Sequence, residues 1–210
     1  TPKIGATYDF SNDKGIYVNY SQGFSPPALT AIFRRRPDAS LTGQDFYYNL
    51  EPAKFQNYEA GGWASLFDDK VYADVALYQM NGRRELLNIR QPDNSYDYQS
   101  AGKTLHRGVE YSLSYRPSQE WLFRAGGTNA IHRFTKFTIS ARNTDDIKNV
   151  NGMDMPQSPG WIANTEISYK PRYITGFRLS VEWQRISAWY QDQVNSIKYD
   201  DRTFPGLKGV

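Results

Sequence analysis

The fold is decided by FRLSVEWQ at residues 177–184, a stretch in which apolar and polar side chains alternate without a break. Successive side chains of a β-strand point to opposite faces, so this stretch predicts a strand with one apolar and one polar face. The same period of two recurs at residues 3–10, 16–24, 55–66, 70–82, 108–115, 120–132 and 163–169. The sequence therefore predicts an all-β fold of about eight antiparallel strands.

The connections between these strands alternate strictly in length. Short turns are predicted at 11–14, 67–70, 116–119 and 170–175, and long loops at about 25–54, 83–103, 133–161 and 188–205. Structureless loops of more than ~15 residues are uncommon in compact domains. Transmembrane barrels, in contrast, carry short periplasmic turns on one side and long extracellular loops on the other. Since strands of ~9–11 tilted residues can cross a membrane, we predict an antiparallel transmembrane β-barrel.

Composition narrows the class of protein further. The 210 residues carry a formal net charge of +3 without a basic face, so we expect no nucleic-acid binding. There is no cysteine, which excludes disulfides, thiolate metal sites and cysteine nucleophiles. The only histidines, His106 and His132, fall in different predicted strands without a ligand-spaced partner, and we interpret them as surface or lumen residues. The sequence thus predicts no enzyme activity, no cofactor and no metal site.

The polar face of the predicted strands would line the barrel lumen. The residues assigned to this face are Asp9, Asn19, Glu59, Asp74, Glu110, Ser112, Arg124, Glu166, Arg178 and Glu182.

Four motifs carry a resemblance to a known family. They are YSQGFSPP at 20–27, LEP followed by NYEAG within 50–61, AGK followed by RGVE within 101–110, and MPQSP at 155–159. Together they resemble, in the same order, barrel motifs of the TonB-dependent outer-membrane receptors. Each motif is short, but four in register over roughly residues 15–187 make the resemblance specific.

The resemblance implies that residues 1–210 are a partial barrel domain of about eight strands from a barrel of about 22 strands. It also implies that an amino-terminal plug domain, a TonB-contacting box and the final strands belong to the protein but are absent here. Residues 204–210 are predicted to begin a ninth strand. An unclosed sheet would leave backbone edges that hydrocarbon cannot satisfy, which agrees with an incomplete barrel.

The function that the resemblance implies is TonB-dependent uptake of a ferric siderophore, or a similar scarce nutrient, across the outer membrane of a Gram-negative bacterium. The expected partners are that ligand, the TonB complex through the amino-terminal region, and outer-membrane lipid and lipopolysaccharide. Arginine and aromatic side chains suit an anionic, ring-bearing chelate. The candidate ligand-binding residues in the long loops are Arg34, Arg35, Arg36, Tyr47, Tyr48, Arg83, Arg84, Tyr96, Tyr98, Trp189 and Tyr190.

Three alternatives remain open from the residues alone. The arginines could contact lipopolysaccharide phosphates while the aromatic side chains anchor at the membrane interface. The chain could form a passive pore or a small structural barrel, whose conductance would need no proton-motive force. A soluble β-sandwich would bury the apolar faces of 109–115 and 177–183 in a core instead of exposing them to lipid.

Overall fold

The computed structural model describes residues 1–27, 33–35, 44–46, 51–90, 96–140 and 147–209. Its strands, in chain order, are β1 Lys3–Ser11, β2 Lys14–Ser25, β3 Phe33–Arg35, β4 Gln44–Phe46, β5 Ala53–Leu66, β6 Val71–Arg90, β7 Tyr96–Tyr115, β8 Trp121–Lys136, β9 Thr138–Ser140, β10 Ile147–Asn149, β11 Trp161–Tyr169, β12 Leu179–Ile186, β13 Trp189–Tyr190, β14 Lys198–Tyr199 and β15 Arg202–Gly209. Within the described ranges, no helix is long and apolar enough to cross a membrane.

Nine of these strands form one antiparallel sheet. Its order is β1-β2-β5-β6-β7-β8-β11-β12-β15. Each of these nine strands therefore pairs with the ones that precede and follow it along the chain. The remaining strands form three small two-stranded sheets, β3 with β4, β9 with β10 and β13 with β14. In the described part of the chain β1 and β15 are the two edges, and the sheet is open.

The predicted strands and turns are confirmed, with differences at the ends. All eight strands are present, and β15 is the expected ninth, beginning at Arg202. The strand predicted at 177–184 starts only at Leu179, and β8 continues to Lys136. One prediction was wrong: residues 83–90 and 96–103 are not part of a loop, because β6 and β7 remain paired as far as Arg90 and Tyr96.

Register separates the side chains of the sheet into two faces. On β6, Val75 and Leu77 point to the apolar face, where their side chains are 48% and 60% exposed. On the opposite face, Asp74 is the register partner of Ser112. The predicted polar set shares this second face, which we call the inner face. Such exposure of large apolar side chains along a whole sheet fits a surface in contact with lipid.

Aromatic clusters border the apolar face at both ends of the strands. Near the short turns, the ring of Trp121 lies 4.6 Å from that of Tyr169, measured between centroids. Towards the other end, Trp161 donates its indole N–H to the Tyr111 hydroxyl at 2.9 Å, and the Arg185 guanidinium lies over the Trp161 ring. Tyr and Trp concentrate where a membrane meets water, so these clusters mark the two interfaces.

Gly108 allows the close pairing of β7 with β8. A β-carbon at this position would lie 2.5 Å from the Asn129 carbonyl oxygen and 3.0 Å from the Ala130 Cα. Both are backbone atoms, which cannot rotate away. We therefore expect Gly108→Ala to destabilise the protein by about 1–3 kcal/mol.

The measurement for Gly108→Ala is the denaturant midpoint of unfolding, followed by tryptophan fluorescence in detergent. Gly23→Ala is the matched control, because a β-carbon there meets nothing within 4 Å. Equal midpoints for the two variants would contradict the predicted collision.

Candidate functional site at the outer end of the wall

The inner face carries a network of paired charges at mid-wall. The Glu166 carboxylate binds Arg124 at 2.8 Å and also pairs with Arg178, and it accepts a hydrogen bond from Ser168 at 2.5 Å. Farther along the sheet, Lys208 pairs with Glu182 at 2.6 Å. Glu166 and Glu182 are therefore neutralised by basic side chains within the wall, and the inner face at this position is polar.

A kink at Arg84 redirects the side chains of β6 beyond the apolar band. Arg84 has a φ of 60°, in the left-handed region that non-glycine residues rarely adopt. The regular alternation breaks there, so that Glu85 reaches the inner face and accepts a hydrogen bond from Thr104 at 2.8 Å. Arg84 itself pairs with Glu51.

Next to Glu85, two histidines meet on the inner face. His106 and His132 are direct register partners on β7 and β8, and their Nδ1 atoms are 2.8 Å apart. The Nε2 atom of His106 lies 3.5 Å from the Glu85 carboxylate, at the outer limit of a hydrogen bond. The prediction that the two histidines have no partner at ligand spacing was therefore wrong, although both do lie on the inner face. The pair could have been found by counting nine steps outward along both strands from Tyr115 opposite Phe123.

The cluster of Glu85, His106 and His132 lies beyond the apolar band, and its surroundings shift the pKa values of Glu85 and His132. Burial acts to raise the pKa of the Glu85 carboxyl, but the interactions with His106 and Thr104 and the charge of His132 outweigh it, and the net pKa is lowered. Burial and the neighbouring His106 lower the pKa of His132, against opposing effects of Glu85 and Asp154. At neutral pH the group therefore combines an ionised carboxylate with a neutral His132 imidazole.

Above the histidines, a small hydrophobic core joins the outer segments. We call it the outer core; its buried members are Ile89, Ala101, Phe134, Phe137, Ile139, Val150 and Met155, with Leu87 and Val194 packed against them. These residues come from the β6–β7 hairpin, from β8 and the segment that follows it, and from the β13–β14 connection. The outer segments thus share one packed interior.

Hydrogen bonds fasten the same segments together. Asp154 donates its backbone N–H to the Asn195 side-chain oxygen at 2.9 Å, and the Asn195 amide donates back to the Asp154 carbonyl at 2.8 Å. The Gln157 N–H donates to the Tyr190 carbonyl at 2.8 Å. Arg133 pairs with the Asp154 carboxylate at 2.9 Å. Segments 150–160 and 187–197 are therefore held to each other and to β8.

The structure brings some of the predicted binding residues to this region and places others elsewhere. Trp189 and Tyr190 form β13, where Trp189 stacks on Tyr199 and the Lys198 amine lies 5.5 Å from the Tyr190 ring centre. Arg84 lies at the kink. Arg36, Tyr47 and Tyr48 fall outside the described residues. The backbones of Arg34 and Arg35 lie in β3, and that of Tyr96 begins β7.

Arg83 and Tyr98 lie in strands rather than in a loop. Arg83 continues the apolar-face row of β6, where it is the register partner of Lys103. Tyr98 is opposite Asn88, on the side of the hairpin away from the buried Ile89 and Ala101. Arg83 does not share the face of His106 and His132, because its partner Lys103 is adjacent to Thr104, whose side chain is on the inner face, and the two faces of a strand alternate.

The geometry defines the class of protein before any comparison: a wall segment of a transmembrane β-barrel with a packed outer end. Comparison with known proteins agrees. The family model described as TonB dependent receptor-like, beta-barrel, matches residues 1–207. The chain therefore belongs to the TonB-dependent receptor β-barrel family, whose members are transport receptors of the outer membrane of Gram-negative bacteria.

Relatives and solved structures add detail to this assignment. The chain is 27% identical over 110 residues to the ferric-pyoverdine 358 receptor of Pseudomonas putida and 26% identical over 145 residues to the ferripyoverdine receptor of Pseudomonas aeruginosa. These matches cover 52% and 63% of this chain but only 11% and 16% of the relatives. The siderophore receptor PiuA of Acinetobacter baumannii has the same fold, with a TM-score of 0.75 at 20% identity over 99% of this chain and 28% of that one.

Proposed function

We propose that this chain is part of the barrel wall of a receptor for TonB-dependent uptake of a ferric siderophore across the outer membrane. The observation that carries the proposal is the family match along residues 1–207, together with the similarity to ferric-pyoverdine receptors. An apolar face towards lipid and a polar inner face are what a wall around a plug needs. TonB, lipopolysaccharide and a plug domain are the partners in this proposal.

Uptake of iron tests this function directly. Cells lacking the gene, grown in iron-limited medium, should lose transport of radioactive iron delivered as a ferric siderophore, and the intact gene should restore it. Restored transport should stop when TonB is deleted or the proton-motive force is collapsed. Transport that continues under both conditions would favour a passive pore and contradict the proposal.

The binding surface that we propose includes Arg84, Trp189 and Tyr190. All three lie at the outer end of the wall, and β13 presents aromatic rings beside the Lys198 amine. Fixed positive charge beside flat rings suits an anionic chelate with aromatic groups. Arg83 is on the side of the apolar face, and we propose that it contacts lipopolysaccharide phosphates instead.

A single substitution tests the proposed surface. Trp189→Ala is expected to weaken binding of the ferric siderophore by about 1–3 kcal/mol, because a large aromatic contact is lost. Trp121→Ala, near the short turns at the other end of the wall, should leave that affinity unchanged. Tryptophan quenching or calorimetry on the detergent-purified receptor measures both dissociation constants. Equal affinities would remove Trp189 from the binding surface.

A further inference from the structure

We propose that His106 and His132 form a binding site for a divalent transition-metal ion of the nickel and copper class, with Glu85 as the residue that orients His106. The site lies on the inner face of the wall, below the outer core. It is separate from the ferric siderophore surface, and it does not depend on the proposed uptake function.

The distance between the two imidazoles suits a shared metal ion. Their Nδ1 atoms are 2.8 Å apart. Two metal–nitrogen bonds of about 2.0–2.1 Å that meet at a right angle place the nitrogens roughly 2.9 Å apart. The observed separation therefore matches neighbouring ligands of a square-planar or octahedral ion. Because His106 and His132 are register partners on paired strands, the backbone already holds them there.

Glu85 selects the form of His106 that can bind a metal. Its carboxylate faces Nε2 of His106, the ring nitrogen farther from His132, at 3.5 Å. Thr104 fixes the carboxylate by donating a hydrogen bond to it at 2.8 Å. An ionised carboxylate favours a proton on Nε2, which leaves the Nδ1 lone pair free. Metal-binding histidines commonly donate their second ring N–H to a carboxylate in this way.

One histidine of the pair is buried, and the other is partly accessible to solvent. His106 is 8% exposed, and Nε2 has no hydrogen-bond partner closer than Glu85 in the described part of the structure. His132 is half-buried, so one ring of the pair borders accessible space. Met80, opposite His106 on β6, occupies the same row of the inner face.

The same distance also fits a simple hydrogen bond between the two rings, in which one Nδ1–H donates to the other Nδ1. Metal binding requires the proton of that donating ring to move from Nδ1 to Nε2, so that both Nδ1 lone pairs are free. Among the residues described, no group of three or more His, Cys, Asp or Glu side chains converges on a metal position. The site therefore supplies two protein ligands, and water or the donor atoms of an incoming complex would fill the remaining positions.

Calorimetric titration of the intact receptor with NiCl₂ tests the site. The receptor is purified in detergent, and any affinity tag is removed first. We expect binding of one Ni²⁺ by the unmodified receptor, and loss of that binding in both His106→Gln and His132→Gln. Glu85→Gln should retain both ligands but weaken binding by about 10–100-fold, as is typical for a residue that orients a metal ligand.

Controls separate loss of the site from loss of the fold. Glu110→Gln removes a carboxylate from the same strand and the same inner face, two rows below His106, and should bind Ni²⁺ normally. Copper electron paramagnetic resonance should show nitrogen coupling that disappears in the histidine variants. Thermal unfolding checks that each variant is folded.

Two results would overturn the metal site. One is an unmodified receptor that binds no Ni²⁺, in which case the pair is only a hydrogen bond. The other is one-to-one binding that survives in the double variant of His106 and His132. Iron–siderophore transport by the same variants is measured in parallel, so the failure of either proposal can be recognised independently of the other.

Discussion

Replacing Phe134 with alanine is expected to destabilise the outer end of the wall by about 3–5 kcal/mol. Phe134 is fully buried, with 0% exposure, and its ring lies 5.3 Å from that of Phe137. Its backbone also anchors the following segment through hydrogen bonds with Met153 and Gly152. Truncation leaves a cavity among side chains that are already packed, and the surrounding strands are too firmly paired to close it.

Hydrogen exchange measures where the Phe134→Ala effect falls. Amides of the β9–β10 hairpin and of residues 150–155 should exchange faster, while the amides of β1 and β2, at the other edge of the sheet, should keep their protection. Phe24→Ala is the matched control, because it deletes the same atoms from a side chain that is 62% exposed. Unchanged exchange in residues 150–155 would show that the outer core does not hold these segments.

Placing arginine at Val75 is expected to cost about 2–4 kcal/mol and to reduce the amount of receptor assembled in the outer membrane. Val75 is in the apolar row of β6, so a guanidinium there would face hydrocarbon. The adjacent residue gives a sharp control. Ala76 points to the inner face, where its register partner is Glu110, so Ala76→Arg would meet an opposite charge.

Heat-dependent migration on a gel measures the folded fraction of both arginine variants in isolated outer membranes. Val75→Arg should be largely unfolded or absent, and Ala76→Arg should resemble the unmodified receptor. Since neighbouring residues of a strand face opposite sides, the reverse outcome would mean that the two faces have been exchanged. Equal tolerance of both substitutions would contradict a membrane-spanning sheet.

The sequence predicts the wall well because one physical signal controls it. A strand between lipid and a polar interior must alternate, and residues 71–78 of β6 and 179–184 of β12 do so. The ends of strands are harder to predict because outside the membrane neither face needs to be apolar. In β6 Gln79 and the adjacent Leu86 and Leu87 interrupt the alternation that residues 71–78 keep, so residues 83–103 are predicted as a loop although β6 and β7 remain paired as far as Arg90 and Tyr96.

The candidate site was less predictable than the wall, for a reason of geometry. Whether a side chain beyond the apolar band faces inward depends on local kinks in the backbone. The kink at Arg84 has a left-handed φ, which a sequence usually signals by a glycine, but here the residue is an arginine. Glu85 could therefore not be placed beside Thr104 from the order of residues. The histidine pair could be predicted from the register of β7 and β8 alone, because the short turn between the two strands fixes that register.

The paired hydrogen bonds between Asp154 and Asn195 have a consequence for how such receptors can diversify. They connect segments that lie 41 positions apart in the sequence. A graft that transfers residues 150–160 alone from a related receptor would separate Asp154 from its partner and leave Val194 without part of its packing surface. Chimaeras should therefore tolerate the exchange of both segments together better than the exchange of either one.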